Sequence, residues 1–174
     1  ESLNSVKKYY WKVKLWNNKD KAANFSKSSF FYILLLNTKD WLAEWITSKK
    51  QGPLYRKEFK IDKNVKKARA YVAGLGFYEM QINGNKAGKE VLDPGQTDYE
   101  KTVLYTTKDI TSLIKKGKNC VGVMLGNGRY SPEKIRENGA HQKYADYPVL
   151  KLQINLYFED GTKKNIVTDD SWRS

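Results

Sequence analysis

The stretch AYVAGLGFYEMQINGNKAG, residues 70–88, decides how this chain is read. Gly74-Leu75-Gly76 looks like the opening of a phosphate-binding loop. A dinucleotide fingerprint, however, needs G-x-G-x-x-G leading into a helix, so that amides at the helix N-terminus meet the pyrophosphate. The third position here is Glu79, and the residues that follow alternate. Tyr78, Met80 and Ile82 fall on one side; Phe77, Glu79, Gln81 and Asn83 fall on the other. A period of two is a strand, not a helix. The glycines then serve a bend or bulge between two strands, and Asn83-Gly84 closes the second strand with a tight turn at positive φ.

The same period runs outward in both directions. Upstream, YYWKVKLW (9–16) sets Tyr9, Trp11, Val13 and Leu15 against Tyr10, Lys12, Lys14 and Trp16. NNKDK is a turn, and SSFFYILL reads as the next strand. The pattern breaks at NTKDWLAEWI (37–46), which predicts a domain boundary, giving 1–39 and 40–174. Two strands alone are marginal, so residues 1–39 read as the tail of a preceding sandwich domain. From Tyr55 the strands resume as YRKEFKI, KARAYVAG, GFYEMQING, KTVLYTT, NCVGVMLG, VLKLQINLYF and KKNIVT. In the clearest of them Leu150, Leu152, Ile154, Leu156 and Phe158 line one face, and Lys151, Gln153 and Asn155 the other. KDITSLIKKG (108–117) is the one helical candidate, a turn or two between Asp109 and a stop at Gly117. The expectation is an all-β, mostly antiparallel jelly-roll β-sandwich with a short helical turn.

Composition narrows the function classes. The chain has 174 residues, 40% hydrophobic and 13% aromatic, enough to bury a core. No apolar run approaches the roughly 18 residues of a membrane span, so no membrane partner is expected. The chain opens at Glu1 without a charged-then-apolar leader and reads as a piece of a longer protein. One cysteine, Cys120, excludes an internal disulfide and is expected to be a small buried thiol. One histidine, His141, excludes a multi-histidine metal site. The net charge of +13 leaves an anionic-polymer binder as an alternative. The lysines are scattered along strand faces, though, and nucleic acid is not expected as a partner.

Two loops carry candidate chemistry. VGVMLGNGRYSPE (121–133) ends a strand in Gly126-Asn127-Gly128, then projects Arg129 and Tyr130. Its plain reading is a structural bend; its functional reading is a binding loop with an amide, a cation and a stacking aromatic. DPGQTDYEK (93–101) is a turn that brings Asp98 and Tyr99. Glycoside hydrolysis needs two carboxylates flanking one bond. Asp93, Asp98 and Glu79 supply the residue type, but their spacing does not make them converge, and no catalytic residue is assigned.

In order along the chain, DWLAEWI, GPLYRKEFKI, VKKARAYVAGLGFYEMQINGNKAG, VLDPGQTDYEKTVLYTTKDIT and GKNCVGVMLGNGRY resemble the N-terminal β-sandwich domain of bacterial α-L-rhamnosidases. The closing VTDDSWRS is similar to that domain's usual end, and the preceding YYWKVKLWNNKDKAANFSKSSFF to the last strands of a fibronectin-type-III-like domain. Each motif is weak alone; five in order are specific.

The resemblance implies a parent enzyme that removes terminal α-L-rhamnose by inverting hydrolysis in a C-terminal (α/α)6 barrel. This segment lacks the barrel's length and helical periodicity, so it is expected to be an inactive accessory domain. Its implied partners are the barrel of the same chain and rhamnose-containing glycans. Some relatives use a similar jelly roll as a calcium-dependent rhamnose-binding module. By that resemblance Asn83, Asn127 and the Pro132 carbonyl are counterparts for calcium, and Asn127, Arg129, Tyr130 and Asn83 for sugar. Calcium accepts such amide and carbonyl oxygens. No other cofactor is implied. Many relatives carry tryptophan where this chain has Arg129, which leaves Tyr130 as the nearer aromatic. The alternative without a ligand is a structural module packed on the barrel.

Overall fold

Alternation in the sequence becomes two facing sheets in a computed structural model of the chain, which describes residues 2–132 and 144–174. His141 lies outside the described residues. The chain forms two compact units, Glu1–Trp41 and Leu42–Ser174.

In the first unit β1 (Lys8–Trp11) pairs antiparallel with β2 (Ser29–Tyr32). Regular pairing stops at Trp11, short of the strand expected through residue 16; beyond it an isolated bridge joins Trp16 to Ala22, and the Leu15 and Val13 carbonyls accept the Ala23 and Ser26 N–H groups, each at 2.8 Å. Aromatic residues hold the pair: Tyr9 stacks on Phe31 at 5.7 Å, and the Lys8 ammonium sits 3.7 Å above Phe30.

The second unit contains β3 (Leu54–Ile61), β4 (Val65–Leu75), β5 (Phe77–Ile82), β6 (Asn85–Lys86), β7 (Thr106–Asp109), β8 (Gly117–Gly126), β9 (Val149–Phe158) and β10 (Lys163–Val167). They make two four-stranded antiparallel sheets, ordered β10-β9-β4-β7 and β3-β8-β5-β6. Ala68, Ala70, Val72, Leu150, Leu152, Ile154 and Leu156 of one sheet meet Tyr78, Met80, Ile82, Val121, Val123 and Leu125 of the other in a single core. This is the expected antiparallel β-sandwich, with four strands in each sheet. Lys57 turns inward on edge strand β3 and pairs with Asp169 at 2.9 Å, an inward charge of the kind that discourages edge-to-edge association.

Several expectations need correcting. The outward side of β9 is not a solvated face: Gln153 and Asn155 are buried there, as are Arg69 and Tyr71 on neighbouring β4. The amides tolerate this because the Leu42 N–H donates to Gln153 Oε1 at 2.7 Å, and Gln153 Nε2 donates to Asn155 Oδ1 at 3.0 Å. The strand expected at 101–107 starts only at Thr106, and Lys108 and Asp109 belong to it. The helical candidate, by contrast, is the short turn expected: a single 3₁₀ turn, Thr111–Leu113, which Asp109 Oδ1 anchors by accepting the Thr111 N–H at 3.1 Å. Cys120 is half-buried rather than a core thiol; it lies between the inward-facing Asn119 and Val121, so its own side chain points outward.

Candidate functional site

Gly76 is where the opening stretch turns, and the candidate binding loop rests on it. Its φ is +134°, and a Cβ placed there would lie 2.1 Å from the Gly126 carbonyl oxygen. Gly128, with φ +54°, comes equally close from the other side: its Cβ would lie 3.1 Å from the Gly76 Cα. The loop after β8 therefore packs backbone to backbone on the β4–β5 bend. Asn127 ties it to a second loop, its Oδ1 accepting the Gly52 N–H at 2.9 Å. The Ser131 N–H closes the turn on the Asn127 carbonyl at 3.2 Å.

From this base Tyr130 meets two tyrosines that sequence reasoning did not join to it. Tyr99 stands edge-on to Tyr130 at 5.4 Å and edge-on to Tyr144 at 5.2 Å, while Tyr130 and Tyr144 lie nearly parallel at 6.0 Å. Such edge-to-face and offset arrangements are the favoured ones for aromatic rings. The Tyr130 carbonyl accepts the N–H groups of Tyr144 at 3.1 Å and Ala145 at 3.3 Å, which pins the segment before β9 to the loop. All three rings are half-buried and Arg129 is exposed. Burial raises the Tyr99 hydroxyl above its ordinary range, with the Arg129 charge opposing it; burial likewise raises Tyr130. Tyr99 and Tyr130 are therefore neutral at physiological pH. The cluster offers aromatic surface, a guanidinium and the Asn127 amide on one end of the sandwich.

Asn83 is elsewhere. It sits in the β5–β6 turn at φ +53°, beside Cys120 near the start of β8. Asn127 follows the end of that strand, seven residues on, or roughly 23 Å at the strand rise. Asn83 also has a structural role in the β5–β6 turn. Its Nδ2 donates to the Leu113 carbonyl and to Asn119 Oδ1, both at 2.9 Å, and its Oδ1 accepts the Cys120 N–H at 2.9 Å. Its own N–H donates to the Cys120 carbonyl. The structure brings Asn127, Arg129, Tyr130 and Pro132 into one loop and does not bring Asn83 to them.

The three carboxylates weighed for hydrolysis each hold their own cation: Glu79 pairs with Lys86 at 2.7 Å, Asp98 with Lys101 at 2.9 Å and Asp93 with Lys108 at 2.8 Å. The last pair is a buried anchor. Lys108 Nζ also reaches Glu90 Oε2 at 2.8 Å, and Asp93 Oδ2 accepts the Tyr78 hydroxyl at 2.9 Å. Burial pushes the Tyr78 hydroxyl far up. For Lys108 burial works downward, but the hydrogen bonds of Asp93 and Glu90 outweigh it and the ammonium is held above its ordinary value. This cluster fastens the loop after β6 to β5 and β7.

A family model described as the α-L-rhamnosidase N-terminal domain matches residues 63–174. The chain belongs to this family. An α-L-rhamnosidase of Formosa agariphila is 34% identical across 99% of the chain, which corresponds to 20% of that relative's length. The solved α-L-rhamnosidase of Dictyoglumus thermophilum superposes with a TM-score of 0.85 at 41% identity, over 99% of this chain and 21% of that one. The Streptomyces avermitilis enzyme, solved in complex with L-rhamnose, gives a TM-score of 0.66 at 36% identity, over 71% of this chain and 12% of its own. The chain thus spans about a fifth of the curated relatives it matches most fully.

In this rhamnosidase N-terminal domain, the members of the tyrosine cluster that sequence reasoning did not join to the loop are Tyr99 and Tyr144. Tyr99 carried a signal, since it lies in the DPGQTDYEK loop. Tyr144 carried none: it is 45 residues from Tyr99 and follows no motif.

Proposed function

We propose that this chain is the non-catalytic N-terminal region of an α-L-rhamnosidase and that its tyrosine cluster binds sugar. The parent hydrolyses terminal α-L-rhamnosides in a region outside this segment, and residues 1–39 are the end of a fibronectin-type-III-like domain. The observation that carries the sugar reading is the convergence of Tyr99, Tyr130 and Tyr144 beside Asn127 and Arg129. Tyrosine faces take the C–H side of a pyranose, while the amide and guanidinium hydrogen-bond its hydroxyls. The L-rhamnose complex of the Streptomyces relative supplies the choice of sugar.

Calcium fits the same loop in part. Asn127 Oδ1 has one donor, Gly52 N–H, and keeps a second lone pair. Between Asn127 and Pro132, the Ser131 hydroxyl is fully buried and has no hydrogen-bond partner among the described residues; a cation or a sugar hydroxyl would satisfy it. Asn127 and the Pro132 carbonyl would hold the ion, and it would fix sugar hydroxyls as oxygen ligands. Among the described residues no three His, Cys, Asp or Glu side chains gather as a metal-ligating group. The ion would therefore rest on neutral oxygens and bind weakly. Asn83 has no place in this site.

The test is a ¹H–¹⁵N titration of the chain with L-rhamnose to millimolar concentration, with and without calcium. Shifts at Asn127, Arg129, Tyr130, Tyr99 and Tyr144 are expected, and the shifts of this loop cluster should vanish in Tyr130→Ala. No shift under either condition leaves the domain as a packing module. The chain alone should not turn over an aryl α-L-rhamnoside.

A further inference from the structure

A second cleft opens within Leu42–Ser174. It has a volume of about 360 Å³, within the size range of small-ligand sites. Trp45, Thr47, Tyr55, Asp170 and Trp172 are among the residues that line it, and the Lys151 ammonium stands 5.6 Å from the Trp45 ring centroid. The segment after β10 builds one wall and the segment paired with β9 builds the other: Ile46 and Leu150 exchange backbone hydrogen bonds at 2.9 and 3.0 Å.

The wall groups are fixed. The Trp172 indole N–H donates to the Val167 carbonyl at 2.7 Å, so its ring is set as a rigid face. The Tyr55 hydroxyl accepts the Ser48 N–H at 3.0 Å, and Tyr55 is buried beneath the opening. Trp45 is 44% exposed. Asp169 is taken by Lys57 and Ser171, whereas the exposed Asp170 carboxylate has no partner among the described residues. The Thr47 hydroxyl donates to the Pro148 carbonyl at 3.2 Å and accepts the Lys49 N–H at 3.4 Å, which leaves its oxygen one acceptor lone pair.

We infer that this cleft is a second sugar-binding site, taking a neutral pyranose whose C–H face lies on Trp45 and Trp172 and whose hydroxyls donate to Asp170 and Thr47. Three features select that ligand class. The spare polar groups are acceptors, which suits a polyol. The Asp170 charge repels anions. The net charge of +13 disfavours organic cations, the other ligands that aromatic walls and a carboxylate attract. The inference rests on the reading of the domain as sugar-binding, but it uses none of the residues of the tyrosine cluster.

Trp45 and Trp172 are the only tryptophans of Leu42–Ser174, so their indole N–H signals report on this cleft alone. The chain is titrated with L-rhamnose, and in parallel with choline chloride, to tens of millimolar. The Trp45 and Trp172 indole signals should move with the sugar and not with choline. They should move equally in Tyr130→Ala, which silences the loop cluster. Trp45→Ala should weaken the response by about three- to tenfold. Asp170→Asn changes an exposed side chain, so the fold is kept, and should weaken it too. Indole signals that stay still while the loop cluster responds overturn the second site and leave the first intact. A larger response to choline overturns the ligand class. Loss of the indole response in Tyr130→Ala overturns the independence of the two sites.

Discussion

Replacing Gly76 by alanine tests the bend on which both the fold and the candidate loop depend. The φ of +134° lies in a region that only glycine occupies without strain, worth about 1–3 kcal/mol for another residue. The new methyl would also sit 2.1 Å from the Gly126 carbonyl oxygen, where real Cβ atoms keep at least 3.0 Å. That atom is backbone in β8, so relief requires β8 and the bend to part by about 0.9 Å, the difference of those two distances. Overpacking of this kind costs about 1–3 kcal/mol more. The sum is roughly 2–6 kcal/mol, or a fall in Tm of about 4–24 °C at about 2–4 °C per kcal/mol for a domain of this size. Gly84→Ala is the control: its φ is +81° but nothing lies within 4 Å of the added methyl, so only about 1–2 kcal/mol of strain is expected. Thermal unfolding followed by circular dichroism measures both. If Gly76→Ala melts no lower than Gly84→Ala, close backbone approach is not what holds the bend and the reasoning is wrong. Loop resonances of Asn127 and Tyr130 should also move in Gly76→Ala, because the same 0.9 Å is transmitted to them.

Lys108→Met should destabilise the chain by about 3 kcal/mol in urea unfolding, because it leaves the buried Asp93 carboxylate unpaired; a loss under 1 kcal/mol would show the anchor to be dispensable. In the same cluster, hydrogen bonding to Lys108 lowers the Glu90 carboxyl from 4.5 to about 2. Its share of stability is therefore fully present above pH ~4.5 and is lost as pH falls towards 2. A Glu90→Gln variant should flatten the acid limb of a stability–pH curve over that window; Glu90 is largely exposed, so the effect is small. Asn83→Ala removes the three part-buried side-chain hydrogen bonds that hold the β5–β6 turn and should cost about 2–4 kcal/mol while leaving any L-rhamnose affinity unchanged; lost affinity with retained fold would return Asn83 to the site. Binding to an acidic glycan or to DNA, if driven by the +13 charge, would fall steeply between low and physiological salt; a salt-independent response would exclude that alternative.

Much of the sandwich was legible in the sequence because strand identity is a local property. Tyr78, Met80 and Ile82 face the core as their alternation predicted, and so do Leu150 to Phe158. The limits of that reading have physical causes. Gln153 and Asn155 look like solvent positions by polarity, yet Leu42 and their own mutual bond satisfy them in a buried place. Asp109 is a sound capping residue but is drawn into β7 by pairing with Arg69 of β4, which reduces the helix to one turn. For the candidate site, Asn127, Arg129 and Tyr130 are adjacent in sequence and so were visible together, whereas Tyr99 and Tyr144 come from two other loops.

The sequence alone determined that residues 70–88 are two strands with a glycine bend and an Asn-Gly turn, because a period of two and a tolerance of positive φ are written in neighbouring residues. It also carried the family, through ordered motifs. Only the tertiary structure decided that β4 and β5 lie in opposite sheets, that the bend between them supports the loop after β8, and that three tyrosines meet there while Asn83 stands a strand's length away. Those facts follow from which strands pair and in what register. Pairing is settled by burying one shared core among residues far apart in the chain, and no local pattern encodes it.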